Sequence, residues 1–426
     1  MMKRSMDLTE YGEGILESYS LTEQERQYLQ SLSDLNSAEH GKKRFYFDEL
    51  RQGLRIRTLS WAGVIELERA RIAIRPKFDR GFEALLDMIG FVEGLPAYRW
   101  HRASAGWGKN DLVELLLSLF LEQVDQLWKR GILKDYVTEE DSLPVLRGRP
   151  DLIRNLRENQ GFPNRIACRY DELVTNQPEN QVILLALETG SRFKARPDTV
   201  RKINRYRSEF GLMCEPYPSG KWPEFHYHRL NAHYEPVHRI AKYIVDQLNV
   251  NNIYRSSDTS FCSMMIDMNK LFEDFVGTLL NRYLPEHYRV QASHRVTDAV
   301  QVDGTSYRHV IPDLVVYDTA EQERRVLDVK YKDYGGKPVD TADLFQLSFY
   351  AQYFNKTTDP HLSVIVYPQF AGRPDNGGIC IELLKGTQYE GRVVARSLPI
   401  EQILAWQTEK RISELRAAAL QLVKGV

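Results

Sequence analysis

Asp313, Asp328 and Lys330 are the residues whose types and spacing point to chemistry. They lie in the stretch "IPDLVVYDTAEQERRVLDVKYK", residues 311 to 332. Two apolar runs with strand character flank a charged turn, and each run carries an acid where a buried strand ordinarily has none. Side chains two apart in a strand share a face. Asp328 and Lys330 therefore point one way, and Leu327, Val329 and Tyr331 point the other way into a core. If "HVIPDLVVY" pairs antiparallel with "RRVLDVKY", Asp313, inside the first strand, comes near Asp328. Two carboxylates held close repel each other unless a cation lies between them. Mg2+ suits such a pair: it takes oxygen ligands, is often held by one or two carboxylates, and keeps positions open for water and phosphate oxygens. A neighbouring lysine can orient an attacking water, help deprotonate it and counter phosphate charge. Such a set hydrolyses a phosphodiester.

Neither half of the pattern is specific alone. Acid-x-Lys occurs once in the chain, but Pro-Asp occurs four times, at 150–151, 197–198, 312–313 and 374–375. The weight lies in the conjunction, with a helix on either side. On "MNKLFEDFVGTLLNRYL" the apolar stripe runs from Met268 through Phe272 and Phe275 to Leu280, with Glu273 at its edge. On "DTADLFQLSFYAQYF", Asp343, Gln346 and Tyr350 fall at i, i+3 and i+7, on one face. The competing reading makes Asp328 and Lys330 an ion pair on a solvent-facing strand, and Glu273 an ordinary helix-rim acid.

Residues 45–78 alternate apolar and charged, Leu54 and Ile56 against Arg55 and Arg57, then Ile72 and Ile74 against Arg71 and Arg75. That period predicts half-buried strands in a small antiparallel sheet or barrel. From there to about 250 the pattern is mainly helical. After "NNIYRSSDTS" it becomes helix, hairpin, helix, two strands and a C-terminal amphipathic helix from Ile400. The expected division is 1–80 (β-rich, barrel-like), 81–250 (mainly helical) and 251–426 (α/β with its own core). The fold class is thus α+β or α/β multidomain. The net charge of −1 gives no global basic field, although a basic groove can be local. Four scattered cysteines, no apolar leader and no membrane-length apolar run predict a soluble cytoplasmic protein with no membrane association.

The order acid-bearing helix, "PD", "DVK", then a helix with Gln and Tyr resembles the PD-(D/E)xK nuclease superfamily. "WAGVIELERARIAIRPKF", "LFLEQVDQLWKRGILKDYV", "LRGRPDLIRN", "IACRYDELVTNQPENQVILLALE" and "IDMNKLFEDFVGTLL" narrow the resemblance to McrC proteins, the endonuclease subunit of McrBC modification-dependent (5-methylcytosine) restriction systems. The resemblance implies a C-terminal PD-(D/E)xK (restriction-endonuclease-like) nuclease domain behind an N-terminal docking region. It implies double-stranded DNA as substrate and, as partner, McrB, an AAA+ GTPase ring that McrC stimulates. Carried over, Asp313 and Asp328 look like the metal-binding acids, with the Val329 carbonyl a further ligand. Lys330 looks like the catalytic lysine, and Glu273 and Gln346 like accessory positions. Two alternatives stay open: the nuclease of a related AAA+ system reading unmodified DNA, and a non-catalytic activator of the ring. Arg55, Arg57 and Arg75 read as the solvated face of a sheet before they read as residues reaching a GTPase site.

His226, His228, His233 and His238 crowd into "HYHRLNAHYEPVH", which reads as a turn into a helix before it reads as a zinc site. "AGWGKNDL" lacks P-loop spacing, and "RPD" at 373–375 lies in a Gly/Pro turn.

Overall fold

The N-terminal strands form where the alternation predicts, and they recruit partners that the alternation does not reveal. The computed structural model describes residues 4–34, 43–95, 111–159, 164–193, 195–218, 220–249, 261–292, 296–303, 305–354, 361–370, 378–387 and 390–424. "AGWGKN", "NNIYRSSDTS" and the "RPD" at 373–375 lie outside them.

β3 (Phe45–Leu50), β4 (Gly53–Thr58), β5 (Trp61–Glu66) and β6 (Ala70–Arg75) lie within the predicted segment, although β5 is buried along its whole length rather than on one face. Leu54 and Ile56 are buried while Arg57 faces water. β2 (Glu13–Glu17) completes an antiparallel sheet ordered β2-β4-β3. The second sheet, ordered β1-β6-β5-β10, draws on strands far apart in the chain. β1 (Arg4–Thr9) runs parallel to β6, and β10 (Cys262–Asp267) runs antiparallel to β5. Met6, Leu8, Ile56, Ile72, Ile74 and Met265 share one core with α1 (Glu23–Asp34).

The contacts divide the chain differently from the expected 1–80, 81–250 and 251–426. Residues 1–112 and 254–426 form one unit and 113–253 another. β10 is the reason: it adds a strand to the N-terminal sheet and runs straight into α8 (Met268–Tyr283), whose Asp267 N-cap accepts from Asn269 N at 2.9 Å.

The rest of the first unit is built on a six-stranded sheet. Its order is β11 (Tyr288–Ala292), β14 (Leu314–Asp318), β15 (Glu323–Val329), β16 (His361–Pro368), β18 (Gly391–Leu398) and β17 (Ile379–Leu383). β14 is antiparallel to β15, and β15, β16 and β18 are mutually parallel. α9 (Thr341–Phe354) covers one face, packing Tyr350 and Phe354 on Val315 and Val326, and Leu347 on Ile365. α8 covers the other face, with Phe272 against Tyr331 at 5.9 Å between ring centroids, and α11 (Ile412–Val423) packs beside it. The result is a three-layer α/β/α arrangement.

Two expectations change here. "HVIPDLVVY" is not one strand: β13 (Thr305–Val310) ends before Pro312 and pairs with β12 (Val296–Val302), and β14 begins at Leu314. Pro312 has no N–H for the ladder, so Asp313 stands at the entry to β14 rather than inside a strand. The single C-terminal helix is two, α10 (Ile400–Thr408) and α11, parted at Lys410, where φ is +59°.

The second unit was read as mainly helical. It does hold α3 (Leu112–Arg130), α5 (Pro178–Gly190), α6 (Pro197–Gly211) and α7 (Glu235–Asn249). It also holds a sheet ordered β7-β9-β8, from β7 (Asp135–Leu143), β8 (Arg149–Pro150) and β9 (Ile166–Val174), with the short helix α4 (Leu152–Glu158). Most of β7 and all of β8 and α4 are exposed or half-exposed, so no periodic burial marks them in the sequence.

His238 on α7 is fully enclosed. Its Nδ1 meets Tyr227 Oη at 2.9 Å, its Nε2 meets the Glu179 carbonyl at 2.9 Å, and Phe225 stacks on the ring. Burial lowers its pKa to about 4. The unfolded chain therefore binds a proton between pH 6.5 and 4 that the folded chain refuses, so stability falls as pH falls through that window. The loss is on the order of 3 kcal/mol. Urea unfolding at pH 7.5 and pH 5 should show a larger drop for wild type than for His238→Gln. Equal drops would mean that other groups carry the acid sensitivity.

Candidate active site

The site is built at the end of β15, a central strand paired on both sides. Its register with β14 pairs Leu314 with Leu327, so the next step brings Asp313 opposite Asp328. Asp313 Oδ2 accepts a hydrogen bond from Val329 N at 2.7 Å. Asp328 is 0 % exposed, which removes the reading of a solvent-facing ion pair. Lys330 Nζ donates to Asp328 Oδ1 at 3.0 Å and lies 2.9 Å from Oδ2, close enough for an ion pair but without hydrogen-bond alignment. Lys330 N donates to Val366 O at 2.9 Å, which ties the residue to β16. Leu327, Val329 and Tyr331 are buried on the opposite face, as the alternation predicts.

The electrostatics are those of a crowded, dry carboxylate pair. Burial, and next the charge of Asp328, raise the Asp313 carboxyl to about 7, against the pull of Lys330 and the Val329 N–H. Burial also raises Asp328, against the pull of Lys330. Loss of water alone would lower the Lys330 ammonium, but Asp328 and Asp313 outweigh it and hold it above its ordinary value. The two carboxyls lie close enough that each bears on the other's protonation. Such a pair cannot carry two charges unless a proton or a cation is held with it. That donor set fits a hard cation with oxygen ligands.

Glu273 on α8 pairs with Lys270 Nζ at 3.0 Å, and its charge reaches Asp313. Gln346 on α9 stands one step further back. Its Nε2 donates to Tyr350 Oη at 2.8 Å, and Tyr350 Oη donates to Ile311 O at 3.5 Å, two residues before Asp313. Asp343 on the same helix face accepts from Lys332 Nζ at 2.7 Å and from the Tyr334 hydroxyl. Lys332 also bonds Asp340 at 2.7 Å. The alternation that joins Asp328 to Lys330 runs on to Lys332 and would have found it, whereas nothing in the sequence marks Tyr334. Among the described residues no group of three or more His, Cys, Asp or Glu is set to hold a metal ion, so the carboxylate set is the pair itself.

Arg55 and Arg57 are engaged by Asp48 (2.7 and 3.9 Å), and Arg75 by Asp7 at 3.5 Å, so each is paired within its own sheet.

A family profile described as "McrBC 5-methylcytosine restriction system component" matches residues 56–368, well over half of the chain. The chain belongs to this family. The McrBC match bears out the resemblance read from the sequence and includes Asp313, Asp328 and Lys330. Among solved structures, the chain is similar to a chain of the refined half-complex from a tetradecameric assembly of Thermococcus gammatolerans McrB AAA+ hexamers with bound McrC. The two are 17% identical with a TM-score of 0.68, covering 96% of this chain and 100% of that one. It is also similar to a chain of the Thermococcus gammatolerans McrBC complex, at 18% identity and a TM-score of 0.50, covering 66% of this chain and 88% of that one. At such identities the likeness is one of fold. No curated protein matches the chain. Among the described residues no helix is long and apolar enough to cross a membrane.

Proposed function

We propose that this chain is the McrC-type endonuclease subunit of a McrBC restriction complex. It is a cytoplasmic, Mg2+-dependent enzyme that cuts double-stranded DNA carrying modified cytosine, and it works with a McrB-like AAA+ ring whose GTP hydrolysis it stimulates. The observation that carries this reading is the buried Asp313–Asp328 pair with Lys330 bonded to it, at a strand end of an α/β/α arrangement, which supports a nuclease domain of the PD-(D/E)xK kind.

Asp313, Asp328 and the Val329 carbonyl would hold Mg2+, which when bound supplies positive charge at the phosphate and makes a bound water more acidic. Lys330, steered by Asp328, orients the attacking water and counters charge building on the phosphate oxygens. Glu273 adds an acceptor at the edge of the pair. Gln346 fixes Tyr350, and with it the turn through Pro312 that delivers Asp313. With a net charge of −1 the lone chain has little general attraction for DNA, which suits delivery by a partner.

The 1–80 segment was expected to dock on the ring, but most of its apolar side chains are enclosed in its own core. The larger exposed apolar surface is on the second unit, where Val145, Leu146, Leu152, Ile153 and Leu156 are each more than half exposed. We assign ring docking to that β7–α4 region.

The test is cleavage of cytosine-methylated plasmid by the chain mixed with its ring partner, Mg2+ and GTP. Cutting should stop when the metal is chelated or GTP is omitted, and GTP turnover should rise on mixing. Equal cutting of unmethylated plasmid would move the assignment to a related system that reads unmodified DNA. Rising GTP turnover without any cutting would reduce the chain to a ring activator.

A further inference from the structure

We infer that Glu10 and Tyr331 form a positioning pair that holds Lys330 in register, so that the N-terminal strands set the activity of a site 321 residues further along the chain. The inference rests on the nuclease reading of Asp313, Asp328 and Lys330.

Glu10 follows β1 and is 2 % exposed. Its backbone is fixed by Glu10 N donating to Arg75 O at 3.0 Å. Its Oε2 accepts from Lys77 N at 3.2 Å and from Tyr331 Oη at 2.9 Å, while its Oε1 is buried with no hydrogen-bond partner. A half-satisfied buried carboxylate is costly, and an aliphatic side chain would fill the space without that cost. What the acid adds is a directed acceptor for one hydroxyl. That hydroxyl belongs to the residue next to Lys330.

Local backbone geometry makes this position sensitive. The β15 ladder ends at Val329, Lys330 N makes one further bond to Val366 O, and Lys332 N then turns back to Lys330 O at 2.8 Å. Between the ladder end and the turn, Tyr331 is the side chain anchored in the core. Its ring packs among Phe78, Phe272 and Phe370, with centroids 6.4, 5.9 and 5.7 Å away. Successive side chains of an extended chain point to opposite faces. Where the phenol is pinned on one face, the Lys330 ammonium is aimed on the other. A displacement of about 1 Å in a reacting group can cost on the order of 10²-fold in rate.

The test uses the complete complex and single-turnover cleavage of methylated DNA. Tyr331→Phe and Glu10→Leu should each slow cleavage by roughly 10- to 100-fold, with half-saturating DNA and Mg2+ and the GTP turnover unchanged. The double variant should be no slower than either single one, because both remove the same bond. Glu10→Gln should stay near wild type, since its amide oxygen can still accept from Tyr331. In chelator, the rate at which an amine-acylating reagent labels Lys330, read by mass spectrometry, should rise in Tyr331→Phe and Glu10→Leu. Wild-type cleavage and labelling in Tyr331→Phe would overturn the inference. So would a Glu10→Gln variant as slow as Glu10→Leu, with rate losses that merely track loss of melting temperature. Cutting as fast in Lys330→Ala as in wild type would overturn the nuclease reading itself, and the pair's role with it.

Discussion

Asp313→Asn should abolish DNA cutting and at the same time make the protein more stable. The two effects come from one cause. Asp313 lies buried against Asp328 with its carboxyl raised to about 7, so at neutral pH the fold holds a group that would rather not be charged. Asn removes that charge and keeps an oxygen able to accept from Val329 N, the bond that seats the side chain. The gain should be about 1 kcal/mol or more, roughly 2–4 °C in melting temperature, measured in chelator. Loss of a metal-binding acid should cost cleavage at least about 10³-fold. Asp328→Ala should behave differently. It too should lose cutting, but it strands the Lys330 ammonium, which is bonded to Asp328, and so should melt lower than wild type. Opposite stability changes with a shared loss of activity are hard to obtain from a charged hairpin that plays no part in chemistry. If Asp313→Asn cuts at the wild-type rate, the pair is not the metal site. If it melts lower, the bond to Val329 outweighs the repulsion and the electrostatic account fails.

What the sequence reveals follows the reach of each interaction. The Asp328-x-Lys330 spacing is local, so the shared face of the strand could be read from two residues, and the register of a hairpin brought Asp313 to them. Glu273 and Gln346 were readable as helix-edge positions, although Gln346 bonds Tyr350 rather than the carboxylates. Pairings between distant segments left no mark. Nothing near Glu10 announces a partner at Tyr331, and "CSMMID" does not advertise that it completes a sheet begun at Arg4. Leu152, Ile153 and Leu156 sit on one short helix, and the structure leaves all three more than half exposed. An apolar stripe records that a surface is to be covered and does not say by which chain.

The second large effect is expected at Gly63, where the N-terminal sheet meets the strand that leads to the site. All six residues of β5 are buried, and Gly63 is paired on both sides, with Ile74 of β6 and Met265 of β10. Its φ is +154°, and a Cβ placed on it would lie 1.9 Å from the carbonyl oxygen of Met264. The obstacle is backbone, so no rotamer change relieves it. Gly63→Ala must either push β10 away or break the ladder between them. β10 passes directly into α8, the helix that carries Glu273, and Met268 N is itself tied to Ser60 O at 2.9 Å. The damage should therefore reach the site-bearing helix as well as the sheet. The cost should be about 3–5 kcal/mol, a drop of roughly 10 °C or loss of soluble protein. Gly81→Ala is the control. Its φ is +54°, also a conformation that favours glycine, but nothing lies within 4 Å of the added methyl. With ψ at −125° the conformation is one that glycine alone adopts readily, so only this backbone preference is lost there, about 1–3 kcal/mol. Thermal melting of the two variants separates steric exclusion from conformational preference. If Gly63→Ala melts no lower than Gly81→Ala, β10 is held loosely, and the sheet is not what fixes α8 beside the carboxylates.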